Sequence, residues 1–305
     1  MLQRRRFYNM DHIEMKNRPK DLMLWFKERM KKDKDLSFQV PIVKNPDTEW
    51  LRTNRDVPTI TWIGHCTFLI QMNGLNILTD PVWTKWLSTY KRLSPPGIAI
   101  EALPEIDIVL ISHGHYDHLS YSTIRKLPGN PLFLVPAGLG RWFLKKGINH
   151  VAEFEWWGKS TVNGVHFTFV PAQHWTKRTL FDTNTSHWGG WVLEQDKTIY
   201  FAGDSGYFRG FSEIGQRFTI DYALMPIGAY EPEWFMHYQH VTPEESIQAF
   251  MDTNAKNMIP MHYGAYMLAD DTPKEALDRM QAEWGRLELC EDNLKVLKLG
   301  EIFSL

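Results

Sequence analysis

The stretch "ISHGHYDHLS" at 111–120 places three histidines and an aspartate, His113, His115, Asp117 and His118, in one short turn. Imidazole nitrogens and carboxylate oxygens are good ligands for zinc, and also for iron or manganese. The cluster directly follows "IDIVLIS" (106–112), an apolar run that reads as a buried strand. A turn at a strand end can aim several side chains at one point, so the spacing predicts a metal centre. Three further candidates stand where other apolar runs stop: His174 after "FTFVPAQ", Asp204 after "TIYFAG" and His262 after "NMIPM". Singly, each has an ordinary reading as a turn aspartate or a strand-end histidine. Together with the cluster they predict convergence at one edge of the sheets.

The elements that must position these residues are mostly strands. "TITWIG" leads to "CTFLIQM" and "LNILTD", and Asn73-Gly74 between the last two predicts a tight hairpin. "PLFLVP" (131–136), "GVHFTFVPA" (164–172), "WGGWVLE" (188–194), "TIYFAGD" (198–204), "DYALMPI" (221–227) and "MIPMH" read as further strands, with "KVLKL" (295–299) as a closing one. "AGLGRWFLKKG" reads as a helix stopped by Gly147. Thr242-Pro243-Glu244-Glu245 and Thr272-Pro273-Lys274-Glu275 are capping boxes that open two late helices. Residues 1–55 differ: they form a charged N-terminal segment expected to pack on a single domain at 56–305. Within them, Asn17 is the expected cap of a helix entered through Pro19, with Leu22, Phe26 and Met30 on one face. A docked helix is the plain reading of this stretch, and a basic amphipathic membrane contact the sharper one. The layout is that of a layered α/β domain, sheets packed inside helices.

Composition narrows the function classes. A chain of 305 residues with 43% hydrophobic residues has ample material for a core. A net charge of −2 argues against a nucleic-acid partner, which usually calls for a basic excess. The two cysteines, Cys66 and Cys290, form no CxxC pair, which speaks against a disulfide framework and for a reducing compartment. The basic N-terminus leads into no signal-peptide core, and no window approaches a membrane span. The expected location is the cytoplasm, compatible with a peripheral place on a membrane.

The motif "HGHYDH" resembles the HxHxDH hallmark of the metallo-β-lactamase superfamily. In order along the chain, "WIGHCTFLIQMNGLNILTDPVW", "LISHGHYDHL", "PAQHWTKRTLFDTNTSHWGGW", "FAGDSGY", "PIGAYEPEWFMHYQHVTPEES" and "MHYGAY" resemble the N-acylphosphatidylethanolamine-hydrolysing phospholipase D family. The resemblance covers roughly residues 56–305 and implies a four-layer αββα metallo-β-lactamase-like sandwich. It implies two metal ions, zinc with manganese or iron as alternatives. His113, His115 and His174 would hold the first, Asp117, His118 and His262 the second, and Asp204 would bridge them. A hydroxide bridging the metals would cleave N-acylphosphatidylethanolamine to N-acylethanolamine and phosphatidic acid. Asp117, Asp204 and His240 would be the catalytic residues, with Gln239 and His240 matching a family pair near the reactive centre. The resemblance also makes a homodimer an expectation.

A phospholipid substrate at a membrane surface needs an access route. The segment "PVWTKWLSTYKRLSPPG" (81–97) mixes Trp83, Trp86, Leu87, Tyr90 and Leu93 with Lys85, Lys91 and Arg92, a combination suited to a lipid surface, and equally to a loop folded over the site with its aromatics packed inward. His65 after the first strand, and Lys177 and Arg178 in "HWTKRTLFD", complete the expected substrate contacts, each with a structural or solvent-facing reading beside it. His187 and His237 read as structural. The rival functions are a metal-dependent lactonase, phosphodiesterase or phosphotriesterase, and a metal-dependent binding protein without turnover. Ligand spacing that leaves room for water favours an enzyme.

Overall fold

The computed structural model describes residues 5–13 and 19–305. Asn17, the expected helix cap, lies outside the described residues. Strands β1 (Thr59–Gly64), β2 (Thr67–Met72) and β3 (Leu75–Thr79) form a meander. Its Asn73-Gly74 turn takes positive φ at both residues, as a two-residue hairpin requires. A short ribbon follows, β4 (Trp86–Leu87) with β5 (Tyr90–Lys91). Strands β6 (Ile108–Leu110), β7 (Leu132–Pro136) and β8 (Val151–Phe154) extend the first sheet in parallel. The second sheet contains β9 (Lys159–Val162), β10 (Val165–Val170), β11 (Gly190–Glu194), β12 (Thr198–Phe201), β13 (Tyr222–Pro226) and β14 (Asn257–Met261). Strand β15 (Ile302–Ser304) returns to pair with β1 and closes the first sheet.

Alternating side chains assemble the layers. Ile60, Trp62, Phe68, Ile70, Ile108, Leu110 and Leu134 share one buried cluster with Phe167, Phe169, Trp191, Leu193 and Tyr200 of the second sheet. Their sequence neighbours Ile63, Leu69, Val109, Ile111, Phe133 and Val135 face the other way, into a cluster with Leu51, Ile124 and Phe143. A period of two thus gives the first sheet two buried faces. Leu51 comes from helix α2 (Thr48–Thr53), Ile124 from α3 (Tyr121–Ile124) and Phe143 from α4 (Gly140–Leu144). Helices α5 (Gly210–Arg217), α7 (Pro243–Asp252) and α8 (Pro273–Arg286) pack on the second sheet's side, and α6 (Glu233–Met236) precedes α7. This is the expected αββα sandwich.

Both capping boxes form, with Thr242 and Thr272 accepting from the main-chain N of Glu245 and Glu275. "KVLKL" is a correction. Residues 295–299 make one isolated bridge, Leu299 to Ile42, after that of Leu294 to Met258 and before Gly300 turns at φ 77°. Leu299 exchanges its main-chain hydrogen bonds with Pro41 and Val43, and the strand that closes the first sheet on β1 starts three residues later, at Ile302.

The N-terminal segment is woven into the domain. Phe7, Val40 and Leu51 each join a buried cluster. Helix α1 (Pro19–Arg29) docks through Trp25, which stacks on Phe235 at 5.1 Å and donates to Asp270 at 2.7 Å. Leu22, Phe26 and Met30 stay exposed, the last at 88%. Upstream, His187 is held between the rings of Phe7 and Trp156, each at 4.4 Å.

Burial pushes the His187 imidazole down to about 3. The folded chain keeps it neutral where the unfolded chain takes a proton, so its contribution is present above about pH 6.5 and is lost as pH falls towards about 3. Replacing His187 with Phe removes that linkage and keeps a ring in the stack. Denaturant unfolding of both proteins between about pH 5.5 and about 4.5 is expected to show the variant's stability falling less steeply, by about 1.4 kcal/mol per pH unit. Equal slopes would mean that His187 titrates normally in the fold.

Candidate metal centre

Topology brings the candidates to one edge. Strand β1 runs parallel to β3 through two antiparallel pairings, and β3 is parallel to β6. Strand β10 runs parallel to β12 in the same way, and β12, β13 and β14 are parallel. His65, the 113–118 turn, His174, Asp204 and His262 all follow the C-terminal ends of these strands. The two sheets are tied at this edge, where Trp191 Nε1 donates to the Ile111 carbonyl at 2.9 Å and the Gly189 N–H to that of Ser112 at 3.0 Å. Small residues allow the close approach. A Cβ on Gly114 would stand 2.7 Å from Thr176 Oγ1, and Gly203, at φ 65°, would put one 2.7 Å from Ser112 Cβ.

Among the described residues the donor atoms fall into five overlapping sets, and two of these take in all seven candidate ligands. His113, His115 and His174 make one; Asp117, His118, Asp204 and His262 make the other. In the first, His115 Nδ1 lies 2.9 Å from His113 Nε2 and 3.3 Å from His174 Nε2. The second spacing equals, and the first falls short of, the roughly 3.3 Å edge of a tetrahedron with Zn–N bonds of ~2.0–2.1 Å. In the second, Asp204 Oδ2 is 3.1 Å from His118 Nε2, and Asp204 Oδ1 is 3.1 Å from His262 Nε2. Asp204 Oδ2 is also 3.8 Å from both His113 Nε2 and His174 Nε2, so this carboxylate adjoins both groups.

Outer hydrogen bonds fix the rings. His118 Nδ1 meets Asp80 Oδ2 at 2.7 Å, His174 Nδ1 the Gln239 carbonyl at 2.9 Å, and His113 Nδ1 the Ser112 hydroxyl at 2.9 Å. The inward nitrogens are therefore free to ligate. His118 Nε2, His262 Nε2 and Asp204 Oδ1 are buried without a hydrogen-bond partner despite their short separations. Such atoms point at a shared position and not at each other, and that arrangement fits a metal ion.

Charge makes the same case. Burial pushes His174 and His240 down to about 3 and His115 to about 4. Burial also opposes charge on His118 and His262, but Asp204 and then Asp117 outweigh it. They hold His262 up at about 9 and His118 well above the usual imidazole range. Despite their burial, the two carboxylates are held well below the usual range by these histidines. Dry carboxylates need positive charge beside them, and a metal ion would supply it while displacing those protons.

A cavity of 1560 Å³ opens over the cluster, reached by His115, Asp117, His174, Asp204, Gln239 and His240. Trp86, Leu87 and Tyr90 of the ribbon, with Leu22 and Trp25 of α1, make an apolar wall. Arg6, Asn9, Lys177 and Asn184 make a polar one. Of the expected substrate contacts, Trp86, Tyr90, Gln239 and Lys177 line this cavity. Trp83 does not: its Nε1 donates to the Ile98 carbonyl at 2.8 Å and its ring packs in the outer cluster. Arg178 borders the cavity, but its guanidinium donates to the Gly114 and Leu119 carbonyls and stacks on Tyr116 and Trp142. It braces the ligand turn. His65 is buried against Asp117, and Arg92 is buried within its own segment, donating to the Val82 and Ser94 carbonyls and the Tyr266 hydroxyl. Asp80 is a site residue that the sequence reading missed. Its signal was available, since it ends β3 in "LTDP" as Asp204 follows β12. It also accepts from the Ser112 N–H and hydroxyl.

Comparison with known proteins gives the chain its family. Residues 75–263 match the beta-lactamase superfamily domain. N-acyl-phosphatidylethanolamine-hydrolyzing phospholipase D 1 of Caenorhabditis elegans is 35% identical over 268 residues, 80% of this chain and 75% of that protein. The mitochondrial enzyme of that name from Saccharomyces cerevisiae is 36% identical over 244 residues, 74% of this chain and 52% of its own length. Among solved structures, the metallo hydrolase Igni18 of Ignicoccus hospitalis shares the fold at a TM-score of 0.62 and 22% identity, covering 82% of this chain and 99% of that one. The chain belongs to the beta-lactamase superfamily, as a metal-dependent hydrolase related to the N-acylphosphatidylethanolamine-hydrolysing phospholipases D.

Proposed function

We propose that the protein is a dinuclear zinc phosphodiesterase of phospholipase D type, cleaving N-acylphosphatidylethanolamine to N-acylethanolamine and phosphatidic acid. The observation that carries this reading is the position of Asp204, between two ligand groups beneath a cavity with an apolar wall. His113, His115 and His174 would hold one ion, Asp117, His118 and His262 the other, with Asp204 common to both. Bound there, the ions would neutralise phosphoryl charge and lower the pKa of water to near 7. The nitrogen and oxygen donor set suits zinc and also admits manganese or iron.

The chain's own groups orient the reaction. His240 Nδ1 lies 4.0 Å from Asp204 Oδ2, and burial keeps the ring neutral. A neutral imidazole here serves as an N–H donor to the phosphoryl or leaving oxygen. Gln239 holds His174 through its carbonyl and borders the cavity beside His240. Trp86 and Tyr90 receive the acyl chains, while Lys177 and Arg6 on the polar wall face anionic lipid. Exposed Leu22, Leu180 and Trp86 at the cavity, with their exposed chain neighbours Phe26 and Phe181, would rest in the headgroup region of a bilayer.

Metal-loaded protein mixed with vesicles containing N-acylphosphatidylethanolamine is expected to release N-acylethanolamine, identified by mass spectrometry, and Asp204→Asn to abolish the release. Turnover of soluble diesters or lactones without lipid cleavage would assign another substrate. His240→Ala is expected to lower kcat by roughly 10²–10³-fold with metal content intact. Metal loss in that variant would make His240 a ligand instead. Changing Trp86, Leu180 and Phe181 together to Ser is expected to weaken vesicle sedimentation far more than hydrolysis of bis-p-nitrophenyl phosphate. Equal losses would place these side chains in the fold's support.

A further inference from the structure

His65 stands outside the two groups assigned to the ions, although its donor atom shares a 4.8 Å set with Cys66, His118 and His262, and the backbone is bent to bring it in. Strand β1 breaks register between Trp62 and Gly64, and Gly64 and His65 then take φ values of 129° and 56°. Two successive positive φ angles turn the chain back on itself. For a residue other than glycine such a conformation is uncommon, and it persists where its surroundings enforce it. The result is an imidazole only 2% exposed beside the metal cluster.

Its contacts fall on one side of that cluster. His65 Nε2 is 3.0 Å from Asp117 Oδ2. Nδ1 has no partner, so the hydrogen bond to the carboxylate places the proton on Nε2, which donates. The His65 carbonyl accepts from the His262 N–H at 3.3 Å and from Trp62 Nε1 at 3.0 Å. The ring lies 4.3 Å from that of His262 and meets Tyr266 edge-on at 5.7 Å. Tyr266 is fixed in turn by Arg92 at 2.8 Å. His65 thus grips Asp117 by its side chain and His262 by its main chain. Its close ring contacts are with His118, His262 and Tyr266, and none is with His113, His115 or His174.

We propose that His65 is the positioning residue of the Asp117–His118–His262 metal position, and of that position alone. Its donated hydrogen bond fixes which Asp117 oxygen turns to the ion, and its carbonyl sets where His262 enters. Orienting partners of this kind typically change metal affinity by ~10–100-fold. The inference rests on the two-ion reading above but not on the identity of the substrate.

The test is a titration of metal-stripped protein with Zn²⁺ against a chromophoric chelator, with circular dichroism as the control for folding. The informative variant is His65→Asn. Asparagine accepts a positive φ readily but is too short to reach Asp117. The wild type is expected to bind two ions. His65→Asn is expected to bind the first as the wild type does and the second ~10–100-fold more weakly. In His65→Gln the longer amide can donate to Asp117 Oδ2, so part of the second affinity should return; this variant also decides the matter if His65→Asn does not fold. Wild-type affinity at both positions in either folded variant would overturn the proposal. So would an equal loss at both, which would signal a general structural role. A wild type that binds one ion would remove the two-ion reading and this inference with it. Two ions without lipid cleavage would leave the inference standing and discard only the lipid substrate.

Discussion

Two carboxylates in a nearly dry place impose the condition on which the rest depends. Asp117 and Asp204 lie among buried rings at the joined edge of two sheets. Isolated there, each would carry a desolvation cost of several kcal/mol. Histidines that would otherwise be neutral hold protons beside them, as the raised His118 and His262 show. The arrangement is built for positive charge. The inter-sheet hydrogen bonds, the glycines at 114 and 203 and the orienting contacts of Asp80, Ser112, Gln239 and Arg178 all serve to hold it.

The strands explain why so many ligands can meet. Each ligand-bearing strand of a sheet runs in one direction, so each ends at the same rim. Turns after those ends carry the chemistry, and the long loops between them build the cavity. The N-terminal segment completes it. Asn9 accepts from the His174 N–H at 3.0 Å and from Trp188 Nε1 at 2.9 Å, while α1 adds an apolar wall held through Asp270. A segment that reads in sequence as an appendage is thus part of the site's enclosure.

Much of this was legible in the residues. "HGHYDH" after an apolar strand, and lone ligands after three other strands, announce convergence because strand ends are where side chains can leave a sheet together. The hairpin glycine and both capping boxes are local signals, and they formed as read. What sequence left dark depends on partners distant in the chain. Trp83 and Trp86 look alike in "PVWTKW", yet one is drawn into the core by Ile98 and Thr123 and the other lines the cavity. Arg178 looks like a phosphate contact, but three carbonyls of the ligand turn lie within its reach. "KVLKL" has a strand's composition, yet its Leu299 finds only residues 41–43 to pair with, a single bridge that no local pattern records. Asp80 drew no reading of its own because its partners, Ser112 and His118, are more than thirty residues away.

Anomalous diffraction at the zinc edge from crystals grown with the metal tests the central claim most directly. The account predicts two peaks per chain, ~3.5–4 Å apart. One should lie among His113, His115 and His174, the other among Asp117, His118 and His262, with Asp204 touching both. A single peak, or one seated instead on His65, Cys66, His118 and His262, whose donor atoms also lie within 4.8 Å of one another, would contradict it.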